Sequence, residues 1–154
     1  SAKLGAIRGK RKTFMKILLP VDGSAHSDRA TQHVIATVRS GGQREIHLVN
    51  VQPLGDDWMV RRMIKSEELV KMEREWGESA IAEARAILEV AGVACVEHIE
   101  QGEVAPTVAR LAQELTCDQI VMGTRGRSAL GYLVLGSVAV KVLHLAKVPV
   151  TLVK

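Results

Sequence analysis

Ile17-Leu18-Leu19-Pro20-Val21-Asp22-Gly23-Ser24 decides the fold. Five apolar residues run without a break into Asp-Gly-Ser, a strand that meets a turn and then a helix N-cap. A helix should follow, and Ala30, Val34, Ile35 and Val38 fall on one helical stripe that Gly41-Gly42 closes. Ile46 to Val51 then reads as a second strand.

The same alternation continues to the end of the chain. Residues 52–60, with Pro53, Gly55, Asp56 and Asp57, read as a loop. Leu69, Met72, Trp76, Ala80, Ala84, Leu88 and Ala91 recur at three- and four-residue steps, which predicts a long amphipathic helix; the pattern does not decide whether Trp76 faces inward. Gly92 stops that helix, and Val93 to Ile99 supplies a third strand. A helix with Val104, Val108, Leu111, Ala112 and Leu115 on its apolar face comes next, with Pro106 acceptable because it falls in the first turn. Gln119 to Met122 forms a fourth strand ending at Gly123, and a glycine-punctuated loop runs on to Gly136. Ser137 is read as the cap of a last helix carrying Val138, Val142 and Leu145, before the closing strand Pro149 to Val153.

Strands separated by helical connections imply an α/β domain: an open five-stranded parallel sheet with helices on both faces, a Rossmann-like arrangement. Right-handed crossovers can cover both faces only if the winding reverses once, and ligands bind beside the strand ends at that reversal. The strand ends richest in site-like residues are Asp22-Gly23-Ser24 and Gly123-Thr124-Arg125-Gly126. Neighbouring first and fourth strands give the order 3-2-1-4-5.

Composition fits one packed domain of 154 residues, 47% of them apolar. The net charge of +4 is unevenly spread. Six of the 21 basic side chains lie in residues 1–16, where no acid occurs, so the rest of the chain holds 15 basic against 17 acidic groups. Residues 1–14 are therefore expected to be a basic leader, disordered or in part vector-derived, and 15–154 the domain. Nucleic acid is not expected as a partner, since basicity is confined to that arm. Ser128 to Val140, the longest uncharged run, is too short to span a membrane, and Cys95 and Cys117 match no disulfide or zinc pattern. A soluble protein of the reducing cytoplasm is the expectation.

Gly123-Thr124-Arg125-Gly126, nine further residues, and then Gly136-Ser137 have the layout of a phosphate cradle. Glycines let backbone approach an anion, and the helix start offers unpaired N–H groups at the positive end of its dipole. Known alternatives fail on spacing. Gly126 to Gly131 is followed by Tyr132 where a P-loop needs lysine, no Gly-x-Gly-x-x-Gly occurs, and Gly126-Arg127-Ser128-Ala129 continues with Leu130 where a hydrolase elbow needs glycine.

The full spacing Gly-x2-Gly-x9-Gly-Ser, together with the opening Ile-Leu-Leu-Pro-Val-Asp-Gly-Ser and closing Val-Pro-Val-Thr-Leu-Val, resembles the ATP-binding, single-domain universal stress proteins from about Met15 to Lys154. The resemblance implies an adenine-nucleotide site. Pro20, Val21 and Asp22 would meet the adenosine part and Val51 the adenine. Met122 and Gly123 would border ribose and phosphates, and Gly126 would line the phosphates. Gly136, Ser137 and Val138 would surround the phosphate tail. Arg125 joins them as a phosphate contact, although solvated charge is an equal reading for Arg125 and Arg127. Duller readings stand beside these: Asp22 as a turn residue, His26 as a surface group, and Met63, Met72 and Met122 as core filler.

What the resemblance implies is an ATP-binding stress-response regulator or sensor, with or without Mg²⁺, and at most slow ATP hydrolysis or autophosphorylation. No second acid is evident to anchor Mg²⁺. The alternative is an interaction module that prefers AMP or cyclic AMP. The barely charged edge strand Pro149–Val153 is expected to pair with its copy in a homodimer, because such an edge left open invites aggregation. The segment 52–62 is a candidate lid.

Overall fold

The computed structural model describes residues 14–52, 66–126 and 135–154. Residues 1–13 of the basic leader, 53–62 of the candidate lid, Met63, and Arg127 with the middle of the glycine loop lie outside the described residues. Among the described residues the elements are, in order, β1 (Met15–Pro20), α1 (Ala25–Arg39), β2 (Arg44–Gln52), α2 (Ser66–Val90), β3 (Cys95–Gln101), α3 (Val104–Glu114), β4 (Gln119–Gly123), α4 (Ser137–Leu145) and β5 (Val150–Val153).

The five strands form one sheet of order β3-β2-β1-β4-β5 in which every pairing is parallel. This is the order the sequence implies. Successive residues of β1 serve opposite faces, as a period of two requires. Ile17 and Leu19 pack with Val34, Ile35, Ile81 and Leu88 of α1 and α2, while Leu18 packs with Val108, Leu111 and Val142 of α3 and α4. All three β1 residues are fully buried, which is why the run reads as continuously apolar. The winding reverses between β1 and β4, and Pro20 and Gly123 mark the carboxyl ends of the two strands.

Local chemistry explains the boundaries. Ser24 caps α1, its hydroxyl accepting from the Ser27 N–H, while Gly41 and Gly42 past the helix take φ of +114° and +86°. At the end of α2 the Gly92 N–H donates to Glu89 and the Val93 N–H to Leu88, a Schellman closure with Gly92 at φ +71°. Val93 is thereby consumed by the helix end, and β3 begins two residues later than its pattern suggests. Trp76 departs from the α2 stripe: it is 55% exposed, whereas Ala80, Ala84 and Leu88 are buried. Gly77 faces the sheet in its place, and a β-carbon there would sit 2.9 Å from Ile99 Cγ2. The helix lies too close for an indole.

Candidate functional site

A cavity of about 280 Å³ opens at the reversal of winding, at the carboxyl ends of β1 and β4. Its walls divide by chemistry. One side is apolar, made by Val49 and Val51 of β2, Val104 at the start of α3, Met122 of β4, and Val138 and Ala139 of α4. The other is polar: Asp22 and Ser27, then Arg125, Gly126, Gly136 and Ser137. Pro20, Val21 and Gly123 complete the lining between them. A flat apolar group and an attached anion fit such a division.

Asp22 faces the glycine loop directly. Its Oδ1 accepts the Ser24 N–H at 2.9 Å, and its Oδ2 lies 2.7 Å from where a β-carbon would stand on Gly126. The turn reading of Asp22 and its place in the cavity wall therefore hold together. The loop closes on itself, because the Gly136 N–H donates to the Thr124 carbonyl at 2.7 Å while the Thr124 N–H ties to Val153 at the end of β5.

The start of α4 differs from the expectation. Gly136, not Ser137, is the N-cap, and it has no side chain with which to cap the helix. The first helical bond runs from the Val140 N–H to the Gly136 carbonyl. The amides of Ser137, Val138 and Ala139 thus have no acceptor within the helix and stand at the positive end of its dipole. A glycine cap leaves them open to the cavity, as a serine side chain folded over them would not. Arg125 adds positive charge, and its Nε is buried with no hydrogen-bond partner among the described residues.

His26 lies beside this site without entering it. Arg29 donates to its Nδ1 at 2.8 Å, and burial lowers its pKa, followed by the charges of Arg29 and Arg125, with Asp22 opposing. Its backbone matters more. A β-carbon on Gly123 would meet His26 Cβ at 2.8 Å and its carbonyl group at 2.9 Å, so Gly123 is the residue that lets α1 start against β4. Asp28 carries a buried Oδ1 with no hydrogen-bond partner among the described residues, and burial, Glu83 and Asp22 all raise its carboxyl pKa. Asp28 is absent from the cavity lining, and among the described residues no group of three His, Cys, Asp or Glu side chains is placed to hold a metal ion.

Every residue singled out from the sequence for this site, from Pro20 to Val138, lines this one cavity. Four lining residues were not singled out: Ser27, Val49, Val104 and Ala139. Val49 was available from the period of two, being on the same face as Val51. Val104 was not, because only the tertiary path of α3 brings the β3–α3 junction over β2. A second groove, between α2 and β3, is lined by charges that neutralise one another, Arg74 with Glu78 and Arg85 with Glu97, each at 3.0 Å.

The fold and crevice define an open, doubly wound α/β domain with a helix start lining the cavity at its switch point. Residues 13–154 match the universal stress protein family, and the chain belongs to it. It is 36% identical over 141 residues to a universal stress protein of Thermus aquaticus, covering 92% of this chain and 99% of that protein. Universal stress protein MJ0531 of Methanocaldococcus jannaschii is 30% identical over 156 residues, covering 96% and 86%. Among solved structures, a universal stress protein from Archaeoglobus fulgidus superposes with a TM-score of 0.68 at 28% identity, over 91% of this chain and 98% of that one.

Proposed function

We propose that this universal stress protein binds an adenine nucleotide, ATP before all, in the crevice between β1 and β4, and acts as a nucleotide-dependent regulator of a stress response. The observation that carries the reading is the meeting of Asp22 with Gly126 in the same cavity wall as the glycine-capped start of α4. Phosphate oxygens would accept from the amides of Ser137 and Val138 and from Arg125, while the base lies against Val49, Val51 and Val104. Pro20, Val21 and Asp22 would face the sugar. Mg²⁺ would travel with the nucleotide, held mainly by its phosphates.

A second reading, AMP or cyclic AMP as ligand, is favoured by charge. Arg125 is the only cationic side chain among the described lining residues, and Asp22 opposes it. Structures similar in fold, at 20% and 23% identity, were solved with cAMP and with dAMP. Protein purified natively and then denatured should release a nucleotide identifiable by mass spectrometry. Calorimetry with ATP, AMP and cyclic AMP, with and without Mg²⁺, separates the readings. Affinity rising with phosphate number supports ATP; cyclic AMP or AMP binding tighter supports the second reading; no binding of any overturns both.

The chain also acts as a homodimer in this proposal. β5 is an outer strand whose four residues are all half-buried, and Val140, Leu143 and Leu145 of α4 expose 39%, 45% and 42% of their surfaces nearby. A second copy pairing along β5 would cover both the open edge and these side chains. Light scattering should give about twice the 16.7 kDa chain mass, and Leu143→Glu should shift it towards the monomer. A wild-type monomer at micromolar concentration contradicts the dimer. Cys95 and Cys117 form no disulfide with each other, as a cytoplasmic location permits, and no helix among the described residues is long and apolar enough to cross a membrane.

A further inference from the structure

Asn50 lies on β2 outside the cavity lining, yet only 3% of it is exposed and its hydrogen bonds lead to the site. Its Nδ2 donates to the Val21 carbonyl at 2.8 Å. That carbonyl belongs to the peptide plane whose other half is the Asp22 N–H, so fixing it fixes the direction in which Asp22 leaves the backbone. The Val21 N–H donates in turn to the Val49 carbonyl at 2.8 Å. Both backbone groups of the residue before Asp22 are therefore held by β2, one by main chain and one by a side chain.

The amide itself has no freedom to turn. A carbonyl can only accept, so the nitrogen of Asn50 must face Val21, and its oxygen accepts from Gln52 Nε2. The main-chain carbonyl of Gln52 accepts the Gly102 N–H at 3.0 Å, so the residue that orients the amide is itself tied to the β3–α3 junction. From above, α2 presses on the amide, since a β-carbon on Gly77 would stand 3.2 Å from Asn50 Oδ1.

We infer that Asn50 is a positioning residue for the nucleotide site, with Gln52 orienting its amide, and that it acts through Asp22 by holding the Val21–Asp22 peptide. The inference rests on the nucleotide reading above for its effect on binding, and on geometry alone for its effect on the turn.

Two readouts separate those parts. Asn50→Leu keeps a side chain of similar size and removes the donor. Amide hydrogen exchange at Ser24, whose N–H donates to Asp22, should quicken about tenfold without ligand, while exchange at Leu111 in α3 stays unchanged. In calorimetry with AMP and ATP, Asn50→Leu should weaken binding about tenfold in the wild-type background and less than twofold in the Asp22→Ala background, the non-additivity expected of residues acting through one another. Gln52→Met, a milder change, should weaken binding two- to threefold with the same dependence on Asp22, and it serves if Asn50→Leu does not fold. Equal losses in both backgrounds, or Ser24 exchange that does not move, overturn the inference. Quickened Ser24 exchange in a protein that binds no nucleotide overturns the nucleotide reading and leaves the positioning role intact.

Discussion

Gly126→Val should lower adenine-nucleotide affinity at least tenfold, about 1.4 kcal/mol, while leaving the urea midpoint close to that of the wild type. The first β-carbon already falls 2.7 Å from Asp22 Oδ2, so the carboxylate must swing away or the loop must lift. Gly126 is exposed, and its contact is with a side chain, so the sheet and both helical layers have no reason to respond. Calorimetry paired with urea unfolding checks both halves. A variant that binds as tightly as wild type would mean that ligand does not pass this contact.

Gly123→Ala should behave in the opposite way, destabilising the fold by about 2–3 kcal/mol, as overpacking of a tight contact does. The added carbon would lie within 2.9 Å of His26 backbone atoms. Those atoms cannot yield cheaply, because His26 sits in the first turn of a helix whose start is fixed by the Ser24 cap and by the Asp22 bond to the Ser24 N–H. Urea denaturation should show the midpoint fall; an unchanged midpoint would show that α1 has slack against β4. Two glycines three residues apart thus divide the work, one setting how closely a helix approaches the sheet and the other keeping a carboxylate against a loop.

The contrast shows how far the sequence reaches. Strand order was legible because β1 is apolar at consecutive positions and because only one pair of strand ends, Asp22-Gly23-Ser24 and Gly123-Thr124-Arg125-Gly126, carried site-like residues. The gathering of residues from Pro20 to Val138 followed from that order, since a reversal of winding between β1 and β4 leaves a crevice there. Motif spacing marked Gly123 and could not say why it is glycine, because its constraint comes from His26, far away in the chain. Asn50 was likewise invisible. An asparagine among apolar strand residues looks like a blemish in a buried run, and only the register of β2 against β1 brings its amide to the Val21 carbonyl. The helix cap was misassigned between Gly136 and Ser137 for a local reason. Serine is the commoner cap, and here glycine takes that position one residue earlier.

If a nucleotide's phosphates lie between the glycine loop and the start of α4, beside Asp22, amide chemical shifts followed by NMR during titration with ATP will report it. The largest saturable changes should fall on Gly126, Gly136, Ser137 and Val138, with Asp22 and Ser24 responding and the α2–β3 groove around Arg85 and Glu97 silent. Changes centred on that groove, with the α4 amides unmoved, would contradict it.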